Sequence, residues 1–93
     1  MIQGFACDKT KRLFTDSICA PQWRSAVRVA VRKLDMLDYA KELGDLRSPP
    51  GNRLERLKDD REGQHSIRIN DKWRVCFVWT EHGPDRVEIV DYH

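Results

Sequence analysis

No run in these 93 residues is long and apolar enough to span a bilayer. The opening "MIQGFACDKTKRLF" lacks the apolar core of a secretion signal. Cysteine is scarce as well: Cys7, Cys19 and Cys76 are odd in number, with no C-x-x-C spacing and no His at ligand intervals. That pattern argues against a disulfide framework and indicates no zinc site. A Gly-rich phosphate loop, a Ser/His/Asp nucleophile setting and a D-x-D metal cluster are also missing. No repeat, low-complexity segment or linker divides the chain. These absences predict one soluble domain over residues 1–93, in a reducing cytoplasm, with no metal or cofactor.

What the chain does contain is a balanced mixture with uneven charge. Hydrophobic residues make up 40% and charged residues 34%, and three Trp, three Phe and two Tyr suit a packed globule rather than a disordered segment. The net charge is only +2, yet residues 47–74 hold eight Lys/Arg against five Asp/Glu. Residues 75–93 hold one Arg against four acids. Eleven of the seventeen bases are Arg, the cation suited to bidentate phosphate contacts, so a nucleic-acid partner is within reach.

The hydrophobic period changes along the chain. "MIQGFA" reads as a first strand, and "CDKTKRLFTDS" as a short helix with Asp8 as its N-cap. In "PQWRSAVRVAVRKLDMLDYAKELG", Trp23, Val27, Ala30, Leu34 and Leu37 share one face, with Pro21 at the start and Gly44 at the stop of a single helix. "RSPPGN" must be a loop, and "RLERLKDDREGQ" is partly extended. From there the period is two: "HSIRI", "WRVCFVW" and "RVEIV" are strands joined by "NDK" and "TEHGPD". Trp73, Val75, Phe77 and Trp79 point one way and Arg74, Cys76 and Val78 the other. The order predicts an α+β domain: an N-terminal strand and two helices packed on a mainly antiparallel sheet.

Chemistry-bearing residues gather at three places. Arg24, Arg28 and Arg32 recur at steps of four on the long helix. They form either a solvated face balanced by Asp35 and Asp38, or a phosphate-contacting ridge. Arg68 and Arg74 lie on adjacent strands, on the side away from the apolar residues, where two guanidiniums suit a phosphate. The chain closes on Asp91, Tyr92 and His93: an acid, an aromatic hydroxyl able to stack on a base, and an imidazole that exchanges protons near neutrality. Together they fit RNA cleavage without metal. That reaction needs a base for the 2′-OH, cations for the developing phosphate charge and an acid for the leaving oxygen. From the residues alone, an RNA-cleaving and an RNA-binding domain both stay open.

Three motifs sharpen that choice. "L-K-x-x-R-x-G", "I-x-x-x-W-R" and the terminal "DYH" together resemble the HigB toxins of bacterial toxin–antitoxin pairs, within the RelE/YoeB superfamily. The likeness runs from Met1 to His93. It implies a small RelE-like α+β domain acting as a ribosome-dependent mRNA endonuclease that cuts the codon in the decoding site without metal. It further implies neutralisation by a HigA-like antitoxin with a helix-turn-helix, and operator DNA bound only through the antitoxin complex.

By the same resemblance, Asp91, Tyr92 and His93 match the functional tail, Arg74 the cation at the cleaved phosphate, and Lys58 a basic residue facing the mRNA. Arg68 and Arg61 serve RNA contact or structure, and Trp73, by its residue type, is a surface on which a base can stack. Where some HigB toxins have His before "x-L-K", this chain has Glu55, as YoeB-like toxins do. Either Glu55 is the base with His93 as acid, or His93 serves both tasks. The competing reading is a RelE-fold binding module without catalysis, acting in an autorepressor complex. Codon preference, the antitoxin's contact surface and the stoichiometry of the complex are not encoded in any motif.

Overall fold

The apolar–polar alternation from His65 onward builds the sheet. The computed structural model describes residues 1–91. Within it β1 (Glu55–Arg56), β2 (His65–Arg68), β3 (Trp73–Thr80) and β4 (Gly83–Asp91) form one antiparallel sheet in the order β1-β2-β3-β4. Asn70 makes the β2–β3 turn, its Oδ1 accepting the backbone N–H of Lys72 at 2.9 Å and of Trp73 at 2.8 Å. Such a side chain satisfies turn donors that no strand partner can reach. At the β3–β4 turn Gly83 has φ 127°, and a Cβ there would sit 2.4 Å from the Met1 carbonyl oxygen. Only glycine fits both constraints. A bulge opposite Phe77 shifts the β3–β4 register between Cys76 and Val78 and places Arg86 at φ 52°.

Two helices cover one face of this sheet: α1 (Asp8–Asp16) and α2 (Val27–Tyr39). Leu13, Trp23, Ala30, Leu34 and Leu37 meet Ile67, Val75, Phe77, Val87 and Ile89 in a single buried cluster. Burying each large side chain is worth about 1.5–3 kcal/mol, so this layer supplies most of the drive to fold. Thr10 adds a polar tie, its buried Oγ1 accepting the Ile89 N–H at 3.1 Å.

The structure corrects three details of the sequence reading. The segment 1–6 makes one parallel bridge, Phe5 to Val87, rather than a strand, although Gln3 and Ala6 both donate to carbonyls of β4. The residue at the N-cap of α1 is Cys7, and Asp8 stands in the first turn, ion-paired to Arg12 at 3.0 Å. The stretch from Pro21 to Gly44 is not one helix. Residues Pro21–Ala26 wind as a 3₁₀ helix, so Ala26 rather than Val27 follows Trp23 into the core. The α-helix stops at Tyr39, and Leu43–Arg47 forms another 3₁₀ turn. There the Asp45 carboxylate accepts the N–H groups of Lys41 and Glu42, and these hydrogen bonds lower its pKa.

His65, on the helix side at the start of β2, gives a testable pH dependence. Its ring stacks on Phe77 at 6.3 Å, and its Nδ1 is buried with no partner among the described residues. Burial, and then the charge of Arg56, hold its pKa below the ordinary 6.5. The unfolded chain therefore takes the proton first, so stability is complete above about pH 6.5 and falls as pH drops toward the folded value. Replacing His65 with Phe should flatten the decline in melting temperature between about pH 7.5 and 5.5. An unchanged decline would assign the effect to another group.

Candidate active site

The segment that leads from the edge strand β1 to β2 folds over the sheet face that the helices leave open, bringing Arg61 to Glu88 on β4, and this crossing makes the site. Leu57 is buried beneath it but stands apart from the main core cluster. Ser66 and Cys76, adjacent on that face, are fully buried, and Arg74 is only 7% exposed. Between the crossing segment and the end of β4 runs a groove of about 510 Å³. Glu55, Lys58, Arg61 and Asp91 line it, along with Arg56, Leu57, Asp59, Asp60 and Val90.

Arg74 is held firmly behind this groove. Its Nε donates to Ser66 Oγ at 2.7 Å, and its Nη2 donates to the Arg53 carbonyl at 2.7 Å. Nη2 also lies 3.6 Å from a carboxylate oxygen of Glu55, whose side chain is 47% exposed. A guanidinium fixed along one edge keeps its fork in a set plane, which is what bidentate recognition of a phosphate requires. Glu55 is thus the link between the buried cation and the open groove.

The other expected residues separate into distinct settings. Arg61 bonds Glu88 at 2.8 Å, and that bond raises its pKa. Burial pushes the Cys76 thiol pKa up, against the opposing pull of Arg61. Arg68 is the cross-strand neighbour of Arg74, as the hairpin implied, but it ion-pairs with Asp71 and does not line the groove. Trp73 lies on the helix side, edge-on to Trp23 at 6.2 Å with Lys72 over its ring at 5.2 Å. It therefore stands across the sheet from Arg74. Asp91 lines the groove, while Tyr92 and His93 lie outside the described residues.

Four contributors escaped the sequence reading. Ser66 was detectable, because the period of two in "HSIRI" puts it beside Arg68 on the Arg74 face. Glu88, the cross-strand partner of Cys76, was similarly within reach. The Arg53 carbonyl and Asn52 were not, since no periodicity governs that loop. Asn52 is fully buried: its Oδ1 accepts a hydrogen bond from Lys33, and its Nδ2 donates to the carbonyls of Leu46 at 3.1 Å and Ser48 at 3.3 Å.

The groove walls hold three cations, Arg56, Lys58 and Arg61, against four carboxylates, Glu55, Asp59, Asp60 and Asp91. Such a surface can position a phosphate but attracts a free polyanion weakly. Among the described residues, no group of three His, Cys, Asp or Glu is placed to hold a metal ion, and no helix is long and apolar enough to cross a membrane.

Comparison with known proteins agrees with this layout. Residues 3–93 match the HigB-like toxin family, described as the RelE-like toxin of the type II toxin–antitoxin system HigB. "Toxin HigB-1" of Vibrio cholerae is 39% identical over 79 residues, covering 85% of this chain and 75% of that protein. "Endoribonuclease HigB" of Proteus vulgaris is 30% identical over 93 residues and is covered over 100% of both chains. Two helices packed on a four-stranded antiparallel sheet are consistent with a RelE-like fold. The chain belongs to the HigB-like toxins, RelE-like toxins of type II toxin–antitoxin systems.

Proposed function

We propose that this chain is an endoribonuclease that cuts messenger RNA presented to it by the ribosome and so arrests translation. The observation that supports this most directly is Arg74, a buried, pre-aligned guanidinium with Glu55 at pairing distance on the groove side. The Proteus vulgaris relative named as an endoribonuclease adds to it. The balanced charge of the groove supports the ribosome's part, since a message held elsewhere need not be captured by charge. A HigA-like helix-turn-helix antitoxin would neutralise the toxin, and operator DNA would be met only through their complex.

In the proposed reaction a scissile phosphate takes the Arg74 fork and competes with Glu55 for it. The released carboxylate accepts the 2′-OH proton, the 2′ oxygen bonds to phosphorus, and the bond to the 5′ oxygen breaks. His93 gives that leaving oxygen its proton, and the products are a 2′,3′-cyclic phosphate and a 5′-hydroxyl. Arg74 and Lys58 offset the charge that grows on the non-bridging oxygens. Tyr92 and Asp91 orient the substrate and the imidazole. Protein groups thus supply every proton and charge the route requires.

Glu55→Gln and His93→Ala should each slow cleavage by about 10²- to 10⁴-fold, the usual worth of a positioned acid or base. In a reconstituted translation reaction, each variant should also lose one limb of the pH–rate profile. Wild-type rates and profiles in both variants, with folding verified, would remove the assignment.

A further inference from the structure

α2 presents an outer face that the fold leaves uncovered. Arg24, Arg28 and Arg32 are all exposed, and none donates a hydrogen bond or forms an ion pair among the described residues. The acids that sequence spacing offered as partners are placed otherwise. Asp38 accepts the Ile2 N–H at 2.9 Å, and Asp35 forms no ion pair among the described residues. Arg24 stands in the 3₁₀ turn Pro21–Ala26, and the row continues on α2 with Arg28 and Arg32, roughly 6 Å apart along its axis. The row runs into a groove of about 380 Å³ lined by Arg32, Met36, Ala40 and Leu46, with Tyr39 beside it at 81% exposure. Behind this end Lys33 is buried, and burial, followed by the charges of Arg32 and Arg68, lowers its pKa.

We infer that this face, from Arg24 to Tyr39, is the docking surface for the antitoxin of the pair. The inference rests on the reading of the chain as a type II toxin. The partner segment it fits is acidic and amphipathic. Carboxylates at helical spacing would meet the three arginines, and one large apolar side chain would enter the groove against Met36 and Leu46. Exposed arginine and tyrosine around an apolar recess is the composition of a protein-binding hot spot. An RNA strand fits less well, because Asp35 and Asp45 stand at the groove and would repel a phosphodiester backbone. A base on the antitoxin would find a partner in those same two acids. No residue of this face lines the catalytic groove.

The test uses the full chain and its purified cognate antitoxin, with affinity measured by calorimetry at two salt concentrations. Arg28→Glu with Arg32→Glu should weaken binding by about 100-fold or more and flatten its salt dependence. Tyr39→Ala should weaken it by at least about tenfold. All three positions are exposed, so folding should survive, and the uncomplexed variants should cleave at the wild-type rate. Affinity within about threefold of wild type in both variants would overturn the inference. So would lost cleavage with affinity intact, which would assign the ridge to RNA. A wild-type chain that binds the antitoxin but cuts no message would sink the function proposed above, not this docking face.

Discussion

Replacing Arg74 with Ala should reduce mRNA cleavage by about 10²- to 10³-fold, the cost of removing one pre-aligned donor from a developing anion. The substitution also has a structural cost. Arg74 is 7% exposed, and Ser66 Oγ and the Arg53 carbonyl would each lose their donor. Buried acceptors left unsatisfied cost about 1–3 kcal/mol each, so the Ala variant should melt measurably lower. Arg74→Lys separates the two effects. It keeps a cation on the buried face but cannot donate through two nitrogens in one plane. Its melting temperature should lie nearer wild type than that of Arg74→Ala, while its cleavage stays well below wild type. Single-turnover cleavage and thermal melts on the same preparations check both expectations. Wild-type cleavage by a folded Arg74→Ala chain would dismiss this residue from the mechanism.

The contrast between Arg74 and its surroundings shows where the sequence was readable. The alternation through "WRVCFVW" correctly separated Val75 and Phe77 from Arg74 and Cys76, because a strand allows only two directions. The hairpin through "NDK" likewise placed Arg68 opposite Arg74. That Arg74 would be buried was not readable. The residues that cover its face belong to segment 53–64, and contact between distant segments leaves no local period. Trp73 is different: the same alternation already set it with Val75 and Phe77 away from Arg74, and there it meets Trp23. The break of the long helix after Tyr39 has no Gly or Pro to mark it. It is set by Asp45 capping backward onto Lys41 and Glu42. Conversely, the short apolar start that reads as a strand has only one bridge to β4. The choice between Glu55 and His93 as base is a matter of placement against the substrate, which no local pattern carries.

The second large effect is expected at Asn52, a residue with no chemistry of its own. Asn52 accepts from the buried Lys33 ammonium on α2 and donates to two loop carbonyls, and the next residue offers its carbonyl to Arg74. Arg53 adopts φ 46°, a left-handed conformation that a non-glycine residue holds only when its neighbours are fixed. The chain of contacts thus runs from the helix layer, through Asn52 and Arg53, to the guanidinium on the opposite face. Asn52→Ala leaves a buried ammonium without its acceptor, which should cost about 3 kcal/mol, more than a neutral group would. For a domain of this size that is a fall of roughly 12–24 °C in melting temperature. Cleavage should also fall by up to about 100-fold at temperatures where the variant is still folded, as expected for a displacement near 1 Å at the reacting phosphate. A double-mutant cycle identifies the route. If Asn52 acts through Arg74, Asn52→Ala added to Arg74→Lys should lower stability further but slow cleavage little beyond Arg74→Lys alone. If instead the rate losses multiply fully, Asn52 supports the site by some path that bypasses Arg74, and the contacts through Arg53 do not carry its effect.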